Sequence, residues 1–308
     1  MIGTCGVVPS EWLLVLAVAV DWLLGECPVA VHPVAWIGRS VGWIVRALPR
    51  KGAQALVCGA ALAGAVPTLA AAATRIAQRA VAPAVATVVE AWLLTSSFSV
   101  RMLGREANKI AELLEDGQLD AARVRLGHLC SRDPSELDAA DVSGAAVESV
   151  AENTSDSFVA PVFWFCILGL PGAVAFRAIN TLDAMIGYRG EFERLGKAAA
   201  RLDDLACWVP ARLTALLILF VGAIAGGNPR QGATVLVRDR HLTSSPNAGS
   251  PMAAMAGVLG VRLVKRGDYE LGREGDDPGP STIRDATRIL ELTAIATTAI
   301  AFCFLALR

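Results

Sequence analysis

Apolar positions along this chain come in blocks rather than in alternation. Runs of about 15–20 residues, the length that carries a helix across a hydrocarbon core, occupy 12–25, 55–73, 81–100, 158–176, 206–226 and 289–307. The clearest, ALVCGAALAGAVPTLAAAA at 55–73, contains no charge. GLPG at 169–172 interrupts the run 158–176, which allows either a full crossing or a re-entrant hairpin. The stretch 251–264 is too short to span and predicts an interfacial or buried helix. The polar segment 104–157 has the helical period. Residues 105–116 and 119–130 predict two amphipathic helices broken at Gly117. RDPSELD at 132–138 supplies a stop and a restart, with Ser135 as N-cap and Asp138 three residues on. The next helix runs to about Asn153. The pattern predicts an all-α, polytopic helical membrane protein, one integral-membrane domain over 1–308 with a polar helical insert at 104–157.

Composition agrees. Of 308 residues, 54% are hydrophobic, and the mean hydropathy is +0.49. The net charge of −1 gives no case for a nucleic-acid partner. Seven scattered Cys form no C-x-x-C and read as free thiols, and three distant His argue against zinc. No Lys or Arg precedes Arg39, so the first apolar run is expected to be retained rather than cleaved. Loop 26–54 has four Lys/Arg against two in 74–80, which places 26–54 and 104–157 on the cytoplasmic side as helical loops. Segment 177–207 has five Lys/Arg and reaches that side only if 158–176 turns back. Asp21, Glu90, Arg212 and Glu291 fall within apolar runs, where ionisable groups face a bundle interior or snorkel to the interface.

Four stretches carry candidate chemistry. Glu148 and Glu152 are one helical turn apart, and Asp156 continues that face if the helix persists. Such a row suits Mg²⁺, which takes oxygen ligands; the alternative is a solvated acidic face. In 176–213, Asn180 and Asp183 share a face, Asp203 and Asp204 precede a span that carries Arg212, and Arg177, Arg189 and Arg201 suit phosphate or carboxylate. Interhelical ion pairing is the alternative there. Ser245 and Asn247 lie in a Pro- and Gly-bounded loop before a helix starting at about 251, a weak phosphate signal. His32, held extended before Pro33, is either a contact to substrate or a structural hydrogen-bonder. No P-loop motif occurs.

In order, DWLLGE and HPVAWIGR at 21–39, AVESVAENTSDS at 146–157, NTLDAMIGY at 180–188, ARLDD with PARLTALL at 200–217, and SPNAG with AGVLGVRL at 245–263 resemble the CobD/CbiB family. These are membrane proteins of cobalamin biosynthesis, known as adenosylcobinamide-phosphate synthases. Two departures stand out: Gly25-Glu26-Cys27-Pro28 replaces a usual Gly-Asp-Pro, and Cys207 replaces a usual Asn. The resemblance implies an amide-forming ligase that joins aminopropanol, or its O-phosphate, to a propionate of adenosylcobyric acid with ATP and Mg²⁺. It implies Glu148, Glu152, Asp156, Asp183, Asp203 and Asp204 as metal ligands or base, with Glu148, Glu152, Asp156 and Asp183 the metal candidates. Arg177, Arg189, Arg201 and Arg212 become anion clamps, and His32, Asn153, Asn180, Ser245 and Asn247 polar contacts. The expected setting is the cell membrane, in contact with lipid, with the active site on the cytoplasmic face and oligomeric state left open. A transporter and a non-catalytic membrane sensor of the same superfamily are the rival readings.

Overall fold

A computed structural model describes residues 8–188 and 190–308. It is 74% helical, with almost no sheet. In chain order the helices are α1 Ser10–Leu24, α2 Pro33–Arg46, α3 Gly52–Ala80, α4 Pro83–Thr95, α5 Val100–Glu115, α6 Leu119–Leu126, α7 Ala139–Thr154, α8 Ala160–Leu168, α9 Leu170–Ile186, α10 Lys197–Ile224, α11 Pro229–Asp239, α12 Gly249–Leu259 and α13 Pro280–Ala306. A hairpin of β1 Leu263–Lys265 and β2 Tyr269–Leu271 follows α12.

Four segments are long and apolar enough to cross a membrane: Gly52–Ala80, Pro83–Glu115, Lys197–Ile224 and Pro280–Ala306. At 1.5 Å per residue each exceeds the roughly 30 Å of hydrocarbon. The second includes the turn at 96–99, and its continuously apolar part is α4. Thr74 and Thr214 each donate 2.8 Å to the carbonyl four residues back, which satisfies those hydroxyls within their own helices. The run at 12–25 forms α1, whose 15 residues are fewer than the about 20 a crossing needs. The run 158–176 becomes α8 and α9, which pack on each other across a break at Gly169. Gly169 takes φ +70°, a left-handed value that glycine adopts cheaply, and Pro171 follows in the first turn of α9.

Two expectations are corrected. The cap of α7 is Asp138, not Ser135: its side chain accepts from the Asp141 N–H at 2.9 Å, and Asp141 accepts in return from the Asp138 N–H. Ser135 instead closes a turn by donating its N–H to Asp133. The helix expected at 251–264 starts earlier, at Gly249, and stops at Leu259; 263–265 is a strand because Gly260 takes a left-handed φ of +68° and ends the helix.

The chain divides into two compact units. Residues 8–99, 160–207 (without 189) and 298–308 make the first, and 100–159 with 208–297 the second. In the first, α9 is central, packed by α2, α3, α4 and α8. Val41, Ala55, Leu62, Leu182, Ile186 and Leu195 form its core. Gly38 and Gly42 of α2 face Thr181 and Met185 of α9, so small residues allow close helix approach. In the second unit α7 is the buried centre, packed by α5, α6, α12 and β1.

Candidate functional site

Each unit holds its own polar cluster. In the first, HPVAWIGR is built as a brace. Trp36 Nε1 donates 2.8 Å to the Ala30 carbonyl, and Arg39 Nη2 donates 2.9 Å to that of Val29. The two bonds hold the 3₁₀ turn Val29–Val31 against α2 and fix His32, the N-cap residue of α2, between them. His32 Nδ1 is buried without a hydrogen-bond partner. Burial lowers the His32 pKa; Glu26 opposes this and Arg177 adds to it, so the ring is held largely neutral.

From α9, Arg177 Nη1 donates 3.0 Å to Asn180 Oδ1, and Asn180 Nδ2 reaches Asp203 Oδ1 of α10 at 3.5 Å. Cys207 Sγ donates to the other Asp203 oxygen at 3.6 Å, so the thiol at this position keeps a contact with the carboxylate. Asp183, one turn beyond Asn180, is close enough to Asp203 and Asp204 for their charges to interact. Burial first, and the Asp204 charge second, push the Asp183 carboxyl up to about 6. No Lys or Arg among the described residues pairs with Asp183 or Asp203. Arg201 acts electrostatically on Asp204. A Cβ at Gly187 would collide with the Asp183 carboxylate and crowd the Asp183 carbonyl oxygen, so glycine leaves that carboxylate its room. The structure thus brings together His32, Arg177, Asn180, Asp183, Asp203 and Asp204. Arg189 lies outside the described residues.

In the second unit Glu148 is 3% exposed and paired with Arg132 through Oε2. Its Oε1 is buried without a hydrogen-bond partner. Burial raises the Glu148 pKa, with Arg132 pulling the other way. Ser149 Oγ donates 2.8 Å to the Leu129 carbonyl, pinning the 129–132 segment to α7. Lys265 and Tyr269 of the hairpin act on Glu148, and Glu152 acts on Tyr269 and Cys130. Asn153 bridges one turn in each direction, to the Ser149 carbonyl and from Ser157 Oγ. Asp156 falls in a π turn, Ser155–Val159, a one-residue insertion of the kind that recurs at functional sites. Arg212 is committed to the 245–248 loop: it donates to Asn247 Oδ1 at 2.5 Å and to the Pro246 carbonyl at 3.1 Å, and lies over the Trp208 ring. Ser245 Oγ accepts from the N–H groups of Asn247 and Ala248.

Arg132, Lys265 and Tyr269 were not singled out in the sequence. Arg132 sits in a stretch that reads as a helix stop, and local periodicity cannot couple it to residues on α7 or β2.

Among the described residues no three of His, Cys, Asp and Glu are arranged to hold a metal. The donor set still fits Mg²⁺, which needs only one or two carboxylates beside phosphate and water. Asp183 and Asp203 offer two neighbouring carboxylates with no Lys or Arg among the described residues paired to them, and Glu148 offers an orphaned oxygen.

The family model described as CobD/Cbib protein matches residues 14–295. The chain belongs to the CobD/CbiB family. Among its relatives, a cobalamin biosynthesis protein CobD of Mycobacterium tuberculosis is 43% identical over 245 residues, covering 79% of this chain and 77% of that one. One of Dehalococcoides mccartyi is 39% identical over 276 residues, covering 88% and 89%. A probable CobD of Methanothermobacter thermautotrophicus is 36% identical over 286 residues, covering 92% and 94%. No solved structure matches. Membership of the CobD/CbiB family supports a role in cobalamin biosynthesis, and His32, Asn180, Asp183, Asp203 and Asp204 all lie in the blocks that first suggested it.

Proposed function

We propose that this chain is an ATP-dependent amide ligase that joins aminopropanol, or its O-phosphate, to a propionate of adenosylcobyric acid at the cytoplasmic face of the cell membrane. A carboxylate does not react with an amine at neutral pH until one oxygen becomes a good leaving group. In the proposed reaction a propionate oxygen attacks the γ-phosphorus of ATP and the bond to the β–γ bridging oxygen breaks. ADP leaves and an acyl phosphate forms. The amine nitrogen then attacks the acyl carbon, phosphate departs with the propionate oxygen, and the nitrogen gives up a proton.

The observation that carries this reading is the pair Asp183 and Asp203: close enough to interact, with no Lys or Arg among the described residues paired to either, in a family named for cobalamin biosynthesis. Two such carboxylates call for a cation. They would hold Mg²⁺, which when bound offsets charge on the transferring phosphoryl oxygens. Arg177, oriented by Asn180, is assigned to an anionic group of the substrates. His32, kept largely neutral by burial, is assigned as acceptor of the amine proton. Glu148, Glu152 and Asp156 stay candidate cation ligands or base in the second unit, with Arg132 fixing Glu148.

The test is nucleotide turnover by the purified protein in detergent or nanodiscs. ADP release is expected only when corrinoid acid, amine and Mg²⁺ are all present. Corrinoid movement across vesicles without amide product would refute the reading in favour of a transporter.

A further inference from the structure

We propose that the second unit carries a binding site for an anionic phospholipid, seated on α10 with its headgroup at the end of that helix. Two adjoining cavities make the site. One, of about 590 Å³, is a groove on the α10 surface lined by Leu216, Leu219, Phe220, Ala223 and Ile224, and closed by Pro229. Phe220 and Ile224 are each 64% exposed on a helix long and apolar enough to cross the membrane. The other cavity, of about 580 Å³, starts where the apolar run stops. Pro229 lines it as well, and Arg230, Gln231, Asp285 and Arg288 supply its polar wall.

The levels match a lipid. Arg230 comes six residues after Ile224, the last residue of α10, and Arg288 directly precedes the apolar run 289–307 of α13. Both guanidinium groups therefore stand where hydrocarbon gives way to headgroups. Neither pairs with a carboxylate among the described residues. Basic pockets between membrane helices at this depth select lipid phosphate, and long basic side chains reach the interface from a greasy stem. Charge decides the lipid class. Two guanidinium charges less the Asp285 carboxylate leave one positive charge. That complements a phosphodiester with an uncharged head, such as phosphatidylglycerol, better than a zwitterion. Acyl chain in the groove and phosphate against Arg230 and Arg288 use both cavities at once.

Native mass spectrometry of the full chain in detergent tests this, with added phosphatidylglycerol, phosphatidylethanolamine and diacylglycerol of identical chains. The wild type should retain phosphatidylglycerol preferentially. The double variant Arg230→Ala/Arg288→Ala should lose about 25-fold in affinity, about fivefold per basic residue, while Arg273→Ala stays unchanged. Ile224→Glu, which puts a charge in the groove and leaves both arginines intact, should lose the lipid as well. Undiminished retention by the double variant, or equal retention of diacylglycerol, would overturn the headgroup assignment. Displacement of the lipid by equimolar glycerol phosphate would show a soluble-phosphate site and overturn the groove.

Discussion

Under the proposed function, Asp183 places stability and catalysis in opposition at a single carboxyl. Burial and Asp204 hold its pKa up at about 6, so the folded chain binds this proton more tightly than the unfolded chain does. Below about pH 4 both states are protonated and the site carries no penalty. As pH rises through 6 the folded state must ionise a buried group, and stability is lost. Asp183→Asn never ionises. In EDTA-containing buffer it should therefore stabilise the fold near pH 8 by about 1–2 kcal/mol after allowing for screening, read as a higher melting temperature, and the gain should vanish towards pH 4. The same variant should lower amide formation by 100-fold or more, as expected for a lost phosphoryl-transfer ligand. A melting curve unchanged at pH 8 would remove the electrostatic argument. Gly187→Ala makes a steric version of the test. Its methyl displaces the Asp183 carboxylate, so turnover should fall while the α9 core, built on Leu182 and Ile186, keeps the chain folded by circular dichroism.

At the scale of elements, the π turn Ser155–Val159 sets where Asp156 points relative to Glu148 and Glu152. Deleting Ser157 should regularise the turn, remove the Ser157 bond to Asn153, shift Asp156 relative to Glu148 and Glu152 while the helix beyond keeps its facing, and abolish activity with helix content retained. Unchanged activity would separate Asp156 from the chemistry. This scale also shows what the sequence makes legible. The break at Gly117, the body of α7 and the interruption at Gly169 follow from local signals: a glycine between two helical patterns, helical period and the GLPG stretch. Ser135 and Asp138 both offer capping chemistry before α7, and the choice of Asp138 is made where Pro134 and Leu137 turn the chain. The hairpin was hidden in an apolar run whose residues suit helix and strand alike, and Gly260 decides between them. Arg132 and Tyr269 were beyond local reading, since folding alone brings them to Glu148. In the first unit the acidic residues were legible as helix faces, and their mutual proximity required α9 against α10.

At the scale of the whole molecule, the membrane is the solvent for α3, α10 and α13. Cys303 is the exposed cysteine among those described, and it lies in the apolar run of α13. In sealed vesicles a charged, impermeant maleimide should leave Cys303 unlabelled, and a lipophilic maleimide should modify it. Rapid labelling by the charged reagent would place that helix in water. The proposed function needs the bilayer for a different reason: in it a bulky, partly apolar corrinoid and a polar nucleotide must meet, and acidic and basic groups beside apolar helices would provide for both. Activation of the propionate by phosphoryl transfer is the central claim, and one isotope experiment reaches it. Adenosylcobyric acid labelled with oxygen-18 in the reacting carboxylate is turned over with ATP and amine, and the released phosphate is analysed by mass. One labelled oxygen per amide should appear in phosphate; amide formed with unlabelled phosphate, or labelled corrinoid recovered without amide, would contradict the mechanism.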